Sequence, residues 1–155
     1  MIDIDQFRVE VVRPVITTLG LYSRAAENLL VGTALTESGL CYLRQIKGPA
    51  VGVFQMEPAT HDDIWANYLT GHQGLATLVK GFQLSYWGDV SAAQMAGNLY
   101  YAAAMCRVHY RRVKAPLPKE DDAQGMAKYW KMFYNTLRGK GTVGGALPHF
   151  EKACQ

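Results

Sequence analysis

Glu37 lies near the end of LLVGTALTESGL, a stretch from Leu29 to Leu40 that is apolar until its last turn. It comes seven residues after Leu30 and four after Thr33. At about 3.6 residues per turn these three share one helix face, and that face is the apolar one. A carboxyl placed there points inward or into a cleft. Partial desolvation disfavours its charged form, and the negative end of the helix dipole acts in the same direction. Both raise the pKa, and a carboxyl still protonated near neutrality can serve as a general acid. The competing reading of the same letters is a glutamate in water at a frayed helix end. Residues farther along the chain shift the balance toward the acid.

An acid of this kind needs a framework to hold it. The 155 residues suit one domain, residues 1–155, with a sizeable core. Hydrophobic residues make up 49% and charged residues 19%, which excludes a disordered chain. No apolar run approaches the roughly 20 residues of a membrane span. MIDIDQFRVEVV is acidic and interrupted by charge, so no signal peptide is expected. Cys41, Cys106 and Cys154 are far apart and fit no zinc spacing, so they read as free thiols. The four histidines are scattered. No metal and no cofactor is expected. A net charge of +3 would suit an anionic polymer without requiring one.

The pattern along the chain is mainly α. A first helix is expected from Asp5 to Leu19, disturbed by Pro14 and closed at Gly20. Ser23 can cap a second, with Glu27 in its first turn and a stop near Gly39. Cys41 to Met56 carries Gly48, Pro49 and Gly52 and reads as loop or short extended structure. Thr60 opens a short helix, THDDIWANYL, with Asp62 and Asp63 near its positive end. Ser91 and Gln94 form an S-x-x-Q capping box for a long helix reaching about Val113. KAPLPKEDD is a Pro-broken connector. Beyond it Met126, Trp130, Phe133 and Leu137 make an apolar stripe at helical spacing. The glycine-rich tail from Gly139 has no clear pattern.

Glu37-Ser38, followed by Gly52-Val53-Phe54-Gln55 and Pro58-Ala59-Thr60, resembles the E-S … G-L-M-Q-x-x-P-x-T signature of soluble lytic transglycosylases and goose-type lysozymes. Phe133-Tyr134-Asn135-Thr136 is similar to the A-Y-N-A-G segment of that family, and Asn98 resembles its asparagine-led helix. The likeness spans about Leu29 to Gly141. It implies a single lysozyme-like domain with a substrate cleft. The implied reaction is cleavage of the β-1,4 bond between N-acetylmuramic acid and N-acetylglucosamine in peptidoglycan strands. By the resemblance, Glu37 is the general acid. Ser38 matches the serine beside it at the substrate site and reads as a cap of the local turn rather than a reactant. Gln55 binds substrate or shapes the cleft floor. Tyr134 holds the catalytic carboxyl through its hydroxyl, and Asn135 steadies that segment. Gly52 would let the backbone pass close beneath a sugar ring.

The chain also departs from the family pattern. Phe54 stands where methionine is usual, keeping an apolar surface at the subsite but a more rigid one. Phe133 and Thr136-Leu137 flank the Tyr-Asn pair in place of small residues. A core aromatic is the structural alternative for Tyr134, and a buried amide satisfied by backbone is the alternative for Gln55. Glu57 puts an acid two places after the glutamine, as goose-type lysozymes do. A transglycosylase needs one catalytic carboxyl, whereas an inverting hydrolase needs a second, roughly 6.5–9.5 Å away, to activate water. Glu57 is either that base or a solvated loop acid.

Arg107, Arg111, Arg112 and Lys114, with His109 and Tyr110 among them, read as a solvated helix face rather than a nucleic-acid grip. Trp65, Trp87 and Trp130 could stack on sugars or pack in the core. The expected partner is the peptidoglycan glycan strand, with virion proteins as further candidates. The expected setting is a bacteriophage wall-degrading protein, made in the host cytoplasm and acting on the cell wall as an endolysin or virion component. The rivals are a noncatalytic virion structural or assembly protein on the same scaffold, and a noncatalytic glycan-binding module.

Overall fold

In a computed structural model, residues 1–84, 90–136 and 139–155 are described. The described residues are mainly helical and form no strand. Trp87 and Leu137, named above, lie outside them.

The N-terminal helix forms, and Pro14 leaves its mark on it. α1 (Ile4–Gln6) runs into a π-helical segment, Phe7–Val12, and then into α2 (Arg13–Thr18). Proline has no N–H and its ring crowds the carbonyl one turn back, so a wider turn before it relieves the clash. Arg13 N–H accordingly bonds to the Arg8 carbonyl, five residues back. α3 (Arg24–Ser38) has Ser23 as its N-cap, whose hydroxyl accepts from Ala26 N–H at 3.0 Å. It ends at Gly39, which takes a left-handed φ of 59°.

Every α3 residue from Ala26 to Leu35 is buried, the mark of a helix enclosed on all sides. α4 (Pro58–Asn67) follows a loop. It begins two residues before Thr60, because Pro58 suits the first helical position and Glu57 takes the cap backbone. α5 (Gln73–Lys80) was not evident in the sequence pattern.

The capping box at Ser91 does not form. Ser91 caps only a 3-10 turn, Ala92–Ala96, and the buried Gln94 side chain accepts from Leu84 N–H instead. Asn98 starts α6 (Leu99–Arg111), accepting from Tyr101 N–H at 3.0 Å. α7 (Ala123–Trp130) continues into a second π-helical segment, Lys131–Asn135. The glycine-rich tail folds as α8 (Val143–Cys154), with Pro148 inside it.

α3 packs against α6, α7, α8 and the N-terminal run. One apolar core joins them, with Phe7, Leu30, Tyr101, Trp130 and Phe150 among its buried side chains. The segment after α3 is an arm of turns and bends, held by isolated bridges between Arg44 and Val51 and between Val51 and Met56. Among the described residues no helix is long and apolar enough to cross a membrane. No group of three or more His, Cys, Asp or Glu among them could hold a metal ion.

Candidate active site

Glu37 occupies the last turn of α3, partly buried, on the face its spacing implied. Its Oε1 accepts a 2.8 Å hydrogen bond from Trp130 Nε1. Two opposed effects set its proton affinity. Burial pushes the carboxyl up, while the indole N–H, which can only donate, favours the carboxylate. Burial wins, and the pKa rises to about 7. Trp130 is itself a core residue, so its role at the site is this one polar edge.

A cavity of about 520 Å³ opens beside Glu37. The arm contributes Gln45 and Ala50; the loop before α4 adds Gln55, Met56 and Glu57. Tyr134, Asn135 and Thr136 form the opposite wall with Gly139, Lys140 and Gly141, and Thr60 and His109 complete the lining. Thus Glu37, Gln55, Glu57, Tyr134 and Asn135 come together around one space.

Ser38 does not join them. It is 4% exposed, and its hydroxyl donates toward the Val53 carbonyl at 2.6 Å and accepts from Leu40 N–H at 3.2 Å. It pins the end of α3 to the loop, the capping role rather than substrate contact. Phe54 is also not at the subsite surface: its ring is buried against Phe7, with centroids 6.0 Å apart. Gly52 is required for a different reason from the one expected. It has φ of 78°, and a Cβ there would collide with the Met95 carbonyl oxygen, so its close approach is to the protein and not to a sugar.

The Tyr134 hydroxyl donates to the Phe54 carbonyl at 2.8 Å, so it latches the loop rather than the Glu37 carboxyl, which Trp130 holds instead. Burial, with Cys106 and Glu37 nearby, pushes this phenol's pKa well up and keeps it a donor. Asn135 accepts from Lys131 Nζ at 2.8 Å, and the same ammonium reaches the Gly139 carbonyl at 2.8 Å, tying the wall together. Gln55 Nε2 donates to the Gly52 carbonyl at 2.8 Å.

His109 was grouped with a solvated basic face; it is instead part of the cavity wall. Its Nδ1 lies 2.9 Å from Arg112 Nη2, which can only donate, so Nε2 carries the proton and donates to the Phe133 carbonyl at 3.1 Å. Burial, and then the Arg112 charge, lower its pKa to about 4, so it stays neutral and serves as a brace. Its ring meets Tyr134 edge-on at 4.9 Å. Arg112 in turn pairs with Asp63 at 2.6 Å, and Arg107 is buried with its Nε donating to the Leu21 carbonyl. Arg111 and Lys114 remain on the surface. Trp65 is packed against the core, its indole N–H donating to the Tyr101 hydroxyl at 2.9 Å.

The cavity includes strained backbone. Among the described residues, the non-glycine positions with positive φ are Leu40, Lys47, Gln55 and Thr136. Gln55 (φ 46°) and Thr136 (φ 66°, ψ 166°) both line the cavity. Such conformations cost about 1–3 kcal/mol each and persist where surrounding contacts impose them, commonly at functional sites.

The raised pKa has a consequence for stability. Folded Glu37 binds its proton more tightly than the unfolded chain does. Its contribution is therefore fully present below the unfolded pKa of about 4.5 and is lost as pH rises through about 7, a decline of up to about 3 kcal/mol. Chemical denaturation at about pH 5 and about pH 8 should show this loss in the wild type and not in Glu37→Gln. Equal slopes in both proteins would mean that Glu37 titrates normally. No protein-family model, no curated protein and no solved structure matches the chain.

Proposed function

We propose that the chain is a peptidoglycan-cleaving enzyme, a lytic transglycosylase or muramidase built on a lysozyme-like domain, with Glu37 as its general acid. What carries this reading is one carboxyl with a pKa of about 7, bordering a cavity that Gln55 and Tyr134 also line. Below neutrality Glu37 is protonated and can give its proton to the glycosidic oxygen as the bond to C1 breaks. The charge left on the carboxylate is then met by the Trp130 N–H. C1 is captured either by the sugar's own 6-hydroxyl, whose proton passes to the Glu37 carboxylate as a 1,6-anhydro ring closes, or by water, whose proton passes to Glu57 as base.

The test is digestion of purified sacculi with the purified protein, followed by mass analysis of the soluble products. Muropeptides with anhydro ends are lighter by one water than those with reducing ends, so the product identifies the route. No soluble product across a range of pH and salt would overturn the enzymatic reading.

A further inference from the structure

On the other side of the arm, hydrogen bonds run from the core to a single surface carboxylate. The Trp65 indole can only donate, and it donates to the Tyr101 oxygen. The Tyr101 hydroxyl is then free to donate to His61 Nε2 at 2.8 Å. That leaves the imidazole proton on Nδ1, which donates to Asp62 Oδ1 at 2.8 Å. His61 is fully buried, and burial lowers its pKa, so it is neutral. The Asp62 side chain, by contrast, is 74% exposed. Three ordered side chains thus fix the position of one solvent-facing carboxylate.

That carboxylate borders a cavity of about 420 Å³, together with Arg44, Pro49, Pro58 and Ser91. The arm separates this cavity from the one at Glu37, because Gln45 and Ala50 line the first while Arg44, Pro49 and Val51 line the second. Among the described residues Arg44 makes no ion pair. Among the described residues the cavity therefore offers one anion held in place and one cation without an ion-pair partner. A lone anion would be repelled by Asp62, and a neutral sugar would leave both charges unused.

We infer that this second cavity binds a short peptide carrying both an ammonium and a carboxylate, with Asp62 receiving the former and Arg44 the latter. Resting on the reading of Glu37 as a peptidoglycan acid, the ligand is the peptide stem attached to the glycan strand being cut. The arm then lies between the site that cuts sugar and the site that holds peptide.

The test is calorimetric titration of the whole chain with a free stem tetrapeptide containing a diamino acid. Asp62→Asn keeps the acceptor for His61 and removes only the charge; Arg44→Gln does the same for the cation. Each should weaken binding at least about tenfold, the effect of losing one charge-assisted hydrogen bond. Acetylating the peptide's free amine should weaken binding to the wild type, and Asp62→Asn should then have no further effect. Failure of the wild type to bind the tetrapeptide, or equal binding by Asp62→Asn, would overturn the inference. Cleavage of peptide-free glycan strands by the wild type reports separately on Glu37. If those strands are cut while the peptide does not bind, only the second site falls. If the peptide binds with both dependences and no glycan is cut, the site stands and the enzymatic reading falls.

Discussion

Glu37→Gln is expected to lower glycan cleavage by about 10²–10⁴-fold, the usual contribution of a positioned general acid. The substitution is close to isosteric, and the amide oxygen can still accept from Trp130, so the cavity should keep its shape. What disappears is the transferable proton. A residue that merely shaped the pocket would change the rate without changing its pH dependence, and this gives a second readout. Because only protonated Glu37 can donate, the wild-type rate should fall as pH rises through about 7, whereas any residual rate in the variant should lack that limb. The variant should also unfold at higher denaturant than the wild type above neutral pH, having no buried carboxylate to accommodate. Full muropeptide release by Glu37→Gln would falsify the assignment of the acid, whatever the stability data show.

Local chemistry made part of this site readable from the letters. Ser23 and Gly39 mark the ends of α3 because a cap and a left-handed stop act within one turn. The inward phase of Glu37 follows from Leu30 and Thr33 by helix geometry alone. Its hydrogen-bond partner could not be read that way: Trp130 is 93 positions along the chain and was visible only as one letter of an apolar stripe. The same applies to Tyr134, whose partner is a backbone carbonyl 80 positions away, and to His109, which was read as surface because its neighbours are arginines. Ser91 misled for the opposite reason. Its local signal matched a capping box, but burial drew Gln94 into a tertiary bond with Leu84 and left the cap to Asn98. α8 was hidden by two glycines and a proline within it, since it is packing on α3 and α7 that holds it helical.

Glu27→Ala should be strongly destabilising, costing about 3–5 kcal/mol. A glutamate in the first turn of a helix ordinarily sits in water and gains a few tenths of a kcal/mol from the dipole. Glu27 is instead 0% exposed and surrounded by three guanidinium groups. Arg13 Nε reaches Oε2 at 2.8 Å, while Arg24 and Arg8 reach Oε1 at 2.8 and 3.1 Å. Arg13 and Arg24 are partly exposed and can rehydrate if the carboxylate is removed. Arg8 cannot, being 5% exposed and also bonded to Asn28 and to the Ala153 carbonyl of α8. The variant therefore leaves a buried cation short of its anion at the junction of the N-terminal run, α3 and α8. A fall in melting temperature on the order of 10 °C is expected, and Arg13→Ala should cost much less. Burial alone would raise the Glu27 pKa, but the hydrogen bonds and charges of Arg13 and Arg8 outweigh it and hold it below the ordinary value. Its stabilisation is thus present above the unfolded carboxylate range and is lost as pH falls through the depressed folded value. Glu37 has the opposite sign, so of these two groups one weakens the fold in acid and the other in base. Wild-type stability should peak between those windows. Glu27→Ala should flatten the acid side of the curve, and Glu37→Gln the neutral side. A Glu27→Ala protein that melts with the wild type would show that Arg8 finds water or another anion, and that the cluster contributes little to folding.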